Sequence, residues 1–158
     1  MNVINELDMP ILCMGLKDII VSASAEGVLV SDKEQSSYIK PYVENISLDV
    51  MYAEKSWGEY KVLEICPDSV TVKVTVKAGH RMNYHSHEHR SEVWTIVSGE
   101  GRTCVDGIVQ NVKAGDVLTV ERNCKHTLIA DTDLCAIEVQ MGQSISASDK
   151  KKYPLDLV

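Results

Sequence analysis

The sequence predicts an all-β protein in which about eight strands form a closed or sandwiched antiparallel barrel. From residue 56 onward, short apolar segments recur at regular spacing, polar or glycine-containing turns separate them, and no convincing helical period interrupts them. The length of 158 residues and the hydrophobic content of 44% suit one domain with a short appendage. The chain has no phenylalanine, so other apolar residues must fill the core, and Trp57 and Trp94 are interpreted as core aromatics.

The N-terminal part follows a different pattern, and we predict a separate segment over residues 1–50 that precedes a barrel over 51–158. Two apolar runs, IIVSA and GVLVS, flank a turn-like AEG, which favours a hairpin or two coils of a small β-structure. Residues 31–34, SDKE, have the form of a capping box and predict a helix that reaches about Asn45. Pro41 is expected to kink or shorten that helix.

The barrel strands are clearest in VTVKVTVKAG, where apolar and polar residues alternate strictly. One face carries Val70, Val72, Val74 and Val76, and the other carries Thr71, Lys73, Thr75 and Lys77. VWTIVSGEGRTCVDG then contains a strand, a turn at residues 99–101 and a second strand. VQNVKAGDVLTV and HTLIADTDLCAIEVQ supply further strands, with polar turns between them.

Charge and cysteine usage exclude several classes of protein. A net charge of −7 argues against a nucleic-acid partner, because a phosphate backbone attracts clustered lysine and arginine. The basic run at residues 150–152 is interpreted as a solvated tail, not as a membrane or nucleic-acid patch. Five widely spaced cysteines lack a CxxC pair and no signal peptide is recognisable, so we expect reduced, mostly buried thiols in a cytoplasmic protein. No apolar run approaches the ~20 residues that span a bilayer.

Histidines are concentrated in the stretch NYHSHEHRSEVW, which holds three of the five in the chain. On a strand, His85 and His87 point to the same face because side chains alternate with a period of two. Glu92 can add an oxygen ligand from the next strand, and His126 can complete the set from a distant strand. Three neutral imidazoles and one carboxylate suit one divalent first-row metal ion, for which we place zinc first and keep manganese, iron, nickel and cobalt open.

The spacing of these residues resembles the two-part signature of the cupin family. The first part, GX5HXHX4EX6G, covers residues 79–99, and the second part, GX10H, covers residues 115–126. Glu121 and Asn123 depart from the second part, where many cupins have proline and glycine. The resemblance implies a cupin-type double-stranded β-helix, a jelly-roll barrel, whose site is either a metal centre or merely structural. In the first case the implied ligands are His85, His87, Glu92 and His126.

The resemblance can be narrowed to one group of cupins. SWGEY at 56–60, VKVTVKAG at 72–79, HEHRSEVW at 87–94 and IEVQMG at 137–142 follow the order seen in type II phosphomannose isomerases. Isomerases of this type form the C-terminal domain of bifunctional mannose-1-phosphate guanylyltransferase/mannose-6-phosphate isomerases, and the chain resembles that domain. Residues 10–45 resemble the β-helical turn and helix that join the two halves of such enzymes, which implies a β-helix-like N-terminal segment with one short helix.

Some positions depart from the group. No glycine-rich nucleotide loop precedes the N-terminal segment, so guanylyltransferase activity is not expected. His85 stands where the group usually has glutamine, and Val93 replaces a histidine. The ending QSISASDKKKYPLDLV replaces an acidic, arginine-containing stretch of the form YLxEDDIxR, and this change affects residues that could shape or close the isomerase site.

The resemblance implies the isomerisation of mannose 6-phosphate to fructose 6-phosphate through an enediol. This reaction needs a base, an electrophile for the developing oxyanion and a cationic contact for the phosphate. The metal ion could supply the electrophile, and Lys73 or Arg90 could hold the phosphate or the oxyanion. Glu88 and His89 are candidate proton carriers beside the ligands, and His89 is also a candidate substrate contact.

Each of these residues has a structural alternative. Lys73 also fits the solvated face of a strand, and Glu88 and His89 also fit a solvated turn. Arg90 also fits a surface ion pair with Glu88 or Glu92.

Three functions therefore stay open. The first is a metal-dependent isomerase on mannose 6-phosphate or a related sugar phosphate, in nucleotide-sugar or polysaccharide metabolism. The second is a non-catalytic sugar-phosphate-binding or regulatory cupin, which the altered ending favours. The third is an iron- or manganese-dependent cupin oxygenase, which the additional imidazole of His85 supports. A homodimer is expected from the resemblance alone.

Overall fold

The computed structural model describes residues 1–24, 27–43, 51–146 and 148–155. Strands dominate these residues, and the chain divides into two compact units, residues 1–52 and 53–158. The prediction of an all-β protein is confirmed. None of the helices in the described residues has the length and the apolar character that crossing a membrane requires.

The first unit contains a three-stranded sheet of β1 (Asn2–Asn5), β2 (Ile19–Ser24) and β3 (Gly27–Asp32). Strand β1 runs parallel to β2, and β2 runs antiparallel to β3. The hairpin predicted from IIVSA and GVLVS therefore forms, although residues 25 and 26 at its turn lie outside the described residues.

The predicted helix is broken into two short pieces. A 3-10 helix spans Gln35–Tyr38, and a single α-helical turn, α1, spans Lys40–Val43. Asn45 lies outside the described residues. Pro41 falls in the first turn of α1, where proline is tolerated because the amide it lacks has no partner within a helix.

The capping-box prediction is wrong. The Ser31 hydroxyl donates to the carbonyl oxygen of Asp32 at 2.9 Å, and the Asp32 carboxylate accepts the Glu34 amide at 2.7 Å. These local bonds form a turn, and the 3-10 helix that follows has no side-chain cap. Serine and aspartate side chains compete with helical bonding in this way when they bond to nearby backbone groups.

The second unit is built from two sheets, and their strands form the predicted barrel. In chain order the strands are β4 (Tyr52–Lys55), β5 (Gly58–Cys66), β6 (Ser69–Val76), β7 (His85–Ser86), β8 (Ser91–Ser98), β9 (Glu100–Val105), β10 (Ile108–Lys113), β11 (Val117–Val120), β12 (His126–Ala130), β13 (Leu134–Met141) and β14 (Lys151–Lys152). One sheet has the order β10-β9-β12-β7-β14, and the other has the order β11-β8-β13-β6-β5-β4. The pairings from β5 to β14 are antiparallel.

The core of this unit lies between the two sheets. Val74 of β6 and Ile96 of β8, from one sheet, belong to the same buried cluster as Leu128 of β12, from the other. Trp57 and Trp94 also belong to it, which confirms their assignment as core aromatics. The predicted alternation on β6 holds: Val72, Val74 and Val76 are buried and Lys73 is exposed.

Gly99 marks the point where the chain passes from β8 in one sheet to β9 in the other. Its φ is +84°, and a Cβ atom there would lie 2.2 Å from the carbonyl oxygen of Asp133. Glycine is therefore required both by the backbone conformation and by the close approach. The turn predicted over 99–101 is shorter than expected, because residues 100 and 101 already belong to β9.

Two predictions need correction. All five cysteines are free, but only Cys104 is buried. The lysines at 150–152 do not form a free tail, because Lys151 and Lys152 form β14 and pair with β7, although both are exposed as predicted. In both cases the outcome depends on tertiary packing, which neither the residue type nor a short run of charges predicts.

Candidate metal centre

Four side chains from separate parts of the second unit converge inside it. The ring nitrogens of His85, His87 and His126 that could bind a metal ion lie within 4.8 Å of one another. Glu92 joins them: its two carboxylate oxygens lie 3.2 Å from Nε2 of His87 and 3.3 Å from Nε2 of His126. None of the four is more than 3% exposed. We call this set the histidine cluster.

Strand geometry explains the convergence. His85 on β7 lies directly opposite His126 on β12 in an antiparallel pair, so both side chains leave the sheet on one face. His87 follows two residues after His85 and returns to that face. Glu92 shares the inward face of β8 with Trp94, whose indole N–H donates to the Glu92 carboxylate at 3.0 Å.

The second nitrogen of each ring fixes its tautomer. Nδ1 of His126 lies 2.9 Å from the carbonyl oxygen of Cys124, Nδ1 of His85 lies 2.5 Å from that of Asn83, and Nδ1 of His87 bonds to that of Asp149. A carbonyl oxygen only accepts, so each Nδ1 is the donor and each Nε2 of a neutral ring keeps its lone pair. Metal-binding histidines are oriented by such backbone contacts.

One nitrogen of the cluster has no hydrogen-bond partner. Nε2 of His126 is buried and unpaired among the described residues, although it lies 3.3 Å from a Glu92 oxygen. Two acceptors that face each other in the interior leave a gap that a cation fills. The residues present therefore fit a divalent metal ion held by three imidazoles and one carboxylate.

Electrostatics keeps two of the ligand residues, His85 and Glu92, in the form that binds a metal ion. Burial first, and then the charge of Lys150, lower the pKa of His85 to about 2. Burial alone would raise the pKa of Glu92, but its contacts with His126 and His87 hold that pKa well below its ordinary value. Neutral imidazole and ionised carboxylate are the forms that bind metal ions.

Arg90 is buried, and each of the three nitrogens of its guanidinium forms a hydrogen bond. Its guanidinium donates from Nε to Glu92 at 2.9 Å, from Nη1 to the Ser146 carbonyl at 3.0 Å and from Nη2 to Nε2 of His87 at 3.0 Å. The surface ion pair considered from the sequence is thus a buried one with Glu92. A metal ion bound by Nε2 of His87 must displace the guanidinium from that atom, because one lone pair cannot serve both.

The other predicted site residues lie at different places. Lys73 is exposed on the face of β6 opposite to Val72 and Val74, so the structure does not bring it to the cluster. Strand alternation turns Lys73 outward, and its role at the site stays a prediction. Glu88 and His89 are exposed directly after His87.

Two polar residues on β13 were not predicted as site residues. Glu138 is 5% exposed and lies opposite Trp94 in the strand pairing, and it accepts a hydrogen bond from Gln140 at 2.5 Å. Burial and then the nearby Glu92 carboxylate raise the pKa of Glu138 to about 8. A signal was present in the sequence, since Glu138 and Gln140 share the alternating face of β13 with buried Leu134 and Ala136.

The C-terminal residues also reach the cluster, which only the family resemblance, and no local pattern, suggested. We call residues 142–153 the tail segment; residue 147 within it lies outside the described residues. Its Asp149 carboxylate accepts the amides of Glu88 and His89 at 2.9 and 3.0 Å. Further along, the Tyr153 amide donates to the carbonyl oxygen of Tyr84 at 2.8 Å.

A polar cavity of about 520 Å³ lies along the tail segment. Its walls include Glu88 and His89 on one side and Asp149, Lys150 and Lys151 on the other. The four cluster residues do not line it, so the cavity lies beside the cluster and not directly over it.

The chain matches a known family over most of its length. The model of the family described as Mannose-6-phosphate isomerase C-terminal matches residues 44–153. A mannose-1-phosphate guanylyltransferase of Escherichia coli K12 is 24% identical over 149 residues, which cover 89% of this chain and 31% of that protein. The chain thus spans about a third of the length of the curated relatives it matches.

Solved structures with a similar fold are cupin barrels. A protein with a double-stranded β-helix domain from Klebsiella pneumoniae superposes with a TM-score of 0.54 at 24% identity, over 58% of this chain and 83% of that chain. An RmlC-like cupin from Shewanella frigidimarina superposes with a TM-score of 0.53 at 23% identity, over 58% and 82%. These likenesses concern the fold alone, and they confirm the predicted jelly-roll barrel.

Proposed function

The chain belongs to the mannose-6-phosphate isomerase C-terminal family, and from this membership we propose that it is a metal-dependent isomerase that interconverts mannose 6-phosphate and fructose 6-phosphate. The observation that carries the proposal is the histidine cluster, in which three Nε2 lone pairs and the Glu92 carboxylate face one buried point. A divalent ion held by such a ligand set could polarise a sugar oxygen during an aldose–ketose isomerisation.

The proposed ligands are His85, His87, Glu92 and His126, and zinc is the first candidate ion, with manganese, iron, nickel and cobalt as alternatives. When bound, the ion supplies an electrophile that stabilises negative charge on the sugar oxygens. The backbone carbonyls at the three Nδ1 atoms hold the rings in place for this role. Arg90 positions Glu92 through its Nε contact.

We propose that one of two carboxylates is the base that moves a proton between C1 and C2 of the sugar. Glu138 points into the barrel beside Glu92 and is almost fully buried, whereas Glu88 is exposed at the tail cavity. The position of Glu138 favours it over Glu88, because a proton carrier must reach the sugar carbons next to the electrophile. His89 keeps the role of a candidate substrate contact at the cavity.

The test is a direct assay of the metal content and of the conversion of mannose 6-phosphate to fructose 6-phosphate. Turnover is expected in metal-loaded protein, and chelator or His87→Ala should abolish it. His80→Ala is the matched control, because His80 is exposed and bonds only locally to the carbonyl of Ala78 at 3.0 Å. Glu138→Gln should lower turnover at least about 100-fold, and Glu88→Gln less than that. Full turnover in the chelated protein would overturn the proposal.

A non-catalytic sugar-phosphate-binding cupin is the second candidate. One observation favours it. The four cluster residues are at most 3% exposed, and the tail segment forms hydrogen bonds with His87 and Arg90. Tight binding of mannose 6-phosphate without turnover in metal-loaded protein would select this function. A cytoplasmic homodimer is part of the same proposal, and light scattering after gel filtration tests the dimer.

A further inference from the structure

A sugar phosphate needs a cationic partner for its phosphate group, and neither of the two side chains predicted for that role lines the polar cavity along the tail segment. Lys73 lies on the outer face of β6. All three nitrogens of the Arg90 guanidinium already bond to Glu92, Ser146 and His87. A phosphate contact from another part of the chain would leave these hydrogen bonds intact.

The tail cavity contains the groups that bind a phosphate. Lys150 and Lys151 line it together with four serines, at residues 86, 144, 146 and 148. Lysine and hydroxyl groups bind phosphate oxygens through charge-assisted and neutral hydrogen bonds. Two carboxylates also line the cavity and oppose an anion there: Glu88, and Asp149, whose carboxylate accepts two backbone amides.

The backbone holds Lys150 in place from both sides. On one side, Asp149 bonds through its carbonyl to His87 and through its carboxylate to the amides of two residues that follow His87. On the other side, β14 pairs Lys151 with Ser86 and Lys152 with His85. Continuing this antiparallel register by one residue sets Lys150 opposite His87, on the face of the histidine cluster.

The electrostatic surroundings of Lys150 agree with this placement. Burial lowers its pKa, and the carboxylates of Glu138 and Glu92 act in the opposite direction. Its charge also contributes to the low pKa of His85. Lys150 lines the cavity, and its neighbour Asp149 bonds through its carbonyl oxygen to His87 of the cluster.

Lys151 has a secondary position in the same cavity. Its ammonium lies 5.6 Å from the centre of the Tyr153 ring, a cation–π contact that directs the side chain along the tail segment. Lys151 and Lys152 are both exposed, but Lys152 does not line the cavity. The three consecutive lysines thus have three different environments.

We infer that the tail segment forms a phosphate-binding subsite beside the histidine cluster, with Lys150 as its principal cation and Lys151 as its second. The inference rests on the proposed function for the identity of the ligand, a sugar monophosphate. It assigns to the tail segment the phosphate contact that the sequence placed on Lys73 and Arg90.

The experiment is isothermal titration of the full chain, stripped of metal, with mannose 6-phosphate, inorganic phosphate and mannose. Both phosphate-containing ligands should bind and compete with each other, and mannose should not bind. Lys150→Met should weaken binding of both by about tenfold or more, the factor that corresponds to the loss of one charge-assisted hydrogen bond. Lys151→Met should have a smaller effect in the same direction, and Lys150→Arg should retain binding.

Lys73→Met is the matched control, because it removes the same charge from the outer face of β6. Its phosphate affinity should equal that of the unaltered protein. Equal affinity in Lys150→Met and unaltered protein, or an equal loss in Lys73→Met, would overturn the subsite. Thermal unfolding of every variant separates lost binding from lost folding, and Lys150→Arg provides a folded reference.

The outcome is separable from that of the isomerase assay, because the titration uses metal-free protein. Lysine-dependent phosphate binding without turnover in the metal-loaded protein would support the subsite and overturn the isomerase. Turnover with an unchanged KM in Lys150→Met would support the isomerase and overturn the subsite.

Discussion

The histidine cluster and the tail segment lie side by side, but different forces hold them. Each cluster residue lies on or directly beside a strand, and the register of β7, β8 and β12 determines where its side chain points. The tail segment is held by a two-residue strand and by the hydrogen bonds of a few residues, such as those that Asp149 accepts and the one between Tyr153 and Ser86.

This difference between the cluster and the tail segment indicates which part of the site can vary. Breaking the cluster disrupts buried groups that have no alternative partners, whereas opening the tail segment exposes polar groups that water can satisfy. We therefore expect the cluster to determine whether a metal ion binds and the tail segment to determine which ligand binds beside it. The following changes test this contrast.

The largest effect is expected for Glu92→Ala in the metal-free protein. The substitution leaves the buried Arg90 guanidinium without its carboxylate, and removing one partner of a buried ion pair costs about 3–5 kcal/mol. Urea unfolding measures the change in the free energy of unfolding. A loss below about 1 kcal/mol, the range of exposed pairs, would contradict the contrast.

Metal binding should stabilise the protein through the cluster. At a free ion concentration about 100 times Kd, the free energy of unfolding should rise by about 2.7 kcal/mol. Differential scanning fluorimetry of chelator-treated and zinc-loaded protein measures the shift in Tm. His126→Ala should lose the shift, because it removes the unpaired Nε2, and His80→Ala should keep it. A shift that survives His126→Ala places the ion elsewhere.

Asp149→Ala should destabilise the protein by about 1 kcal/mol, because it removes the acceptor of two amides at an incompletely buried position. Those amides, of Glu88 and His89, hold the pKa of Asp149 below its ordinary value although partial burial opposes them. A lowered pKa means that the contribution is present above about pH 4 and is lost as the pH falls through the lowered pKa. Urea unfolding from pH 7 down to pH 3 measures this.

Asp131→Ala is the control for that series, since it breaks the exposed pair with Arg102. It should cost less than about 0.5 kcal/mol. An equal loss in the two variants would show that the tail segment is no better anchored than an exposed surface pair.

The smallest effect is expected for Tyr153→Phe. It removes one hydrogen bond of 3.1 Å between the phenol and the Ser86 hydroxyl, which contributes about 0.5–1 kcal/mol. Metal affinity should not change, because the phenol does not contact the cluster. Tyr42→Phe, at an exposed tyrosine, is the matched control. A marked loss of metal affinity in Tyr153→Phe would show that the tail segment and the cluster act as one unit.

The two lysines of the proposed phosphate contact show where interpretation of the sequence succeeded and failed. The alternation of VTVKVTVKAG already put Lys73 on the face opposite to the buried valines, and the assignment to the site came from family resemblance alone. Lys150 carried no local signal, because its placement depends on β14 pairing with β7, more than sixty residues earlier in the chain. Glu138 lies between these two cases, because the alternation of β13 predicts its inward position.

The sequence by itself determined the all-β class and the positions of the four cluster residues. Both follow from local rules, since a period of two sets the face of each side chain and glycines such as Gly99 set the turns. Only the tertiary structure decided that Arg90 is buried against Glu92 and His87, that Glu138 faces the cluster and that the tail segment closes beside it. These are contacts between distant strands, and the packing of two sheets selects them among many that local periodicity allows equally.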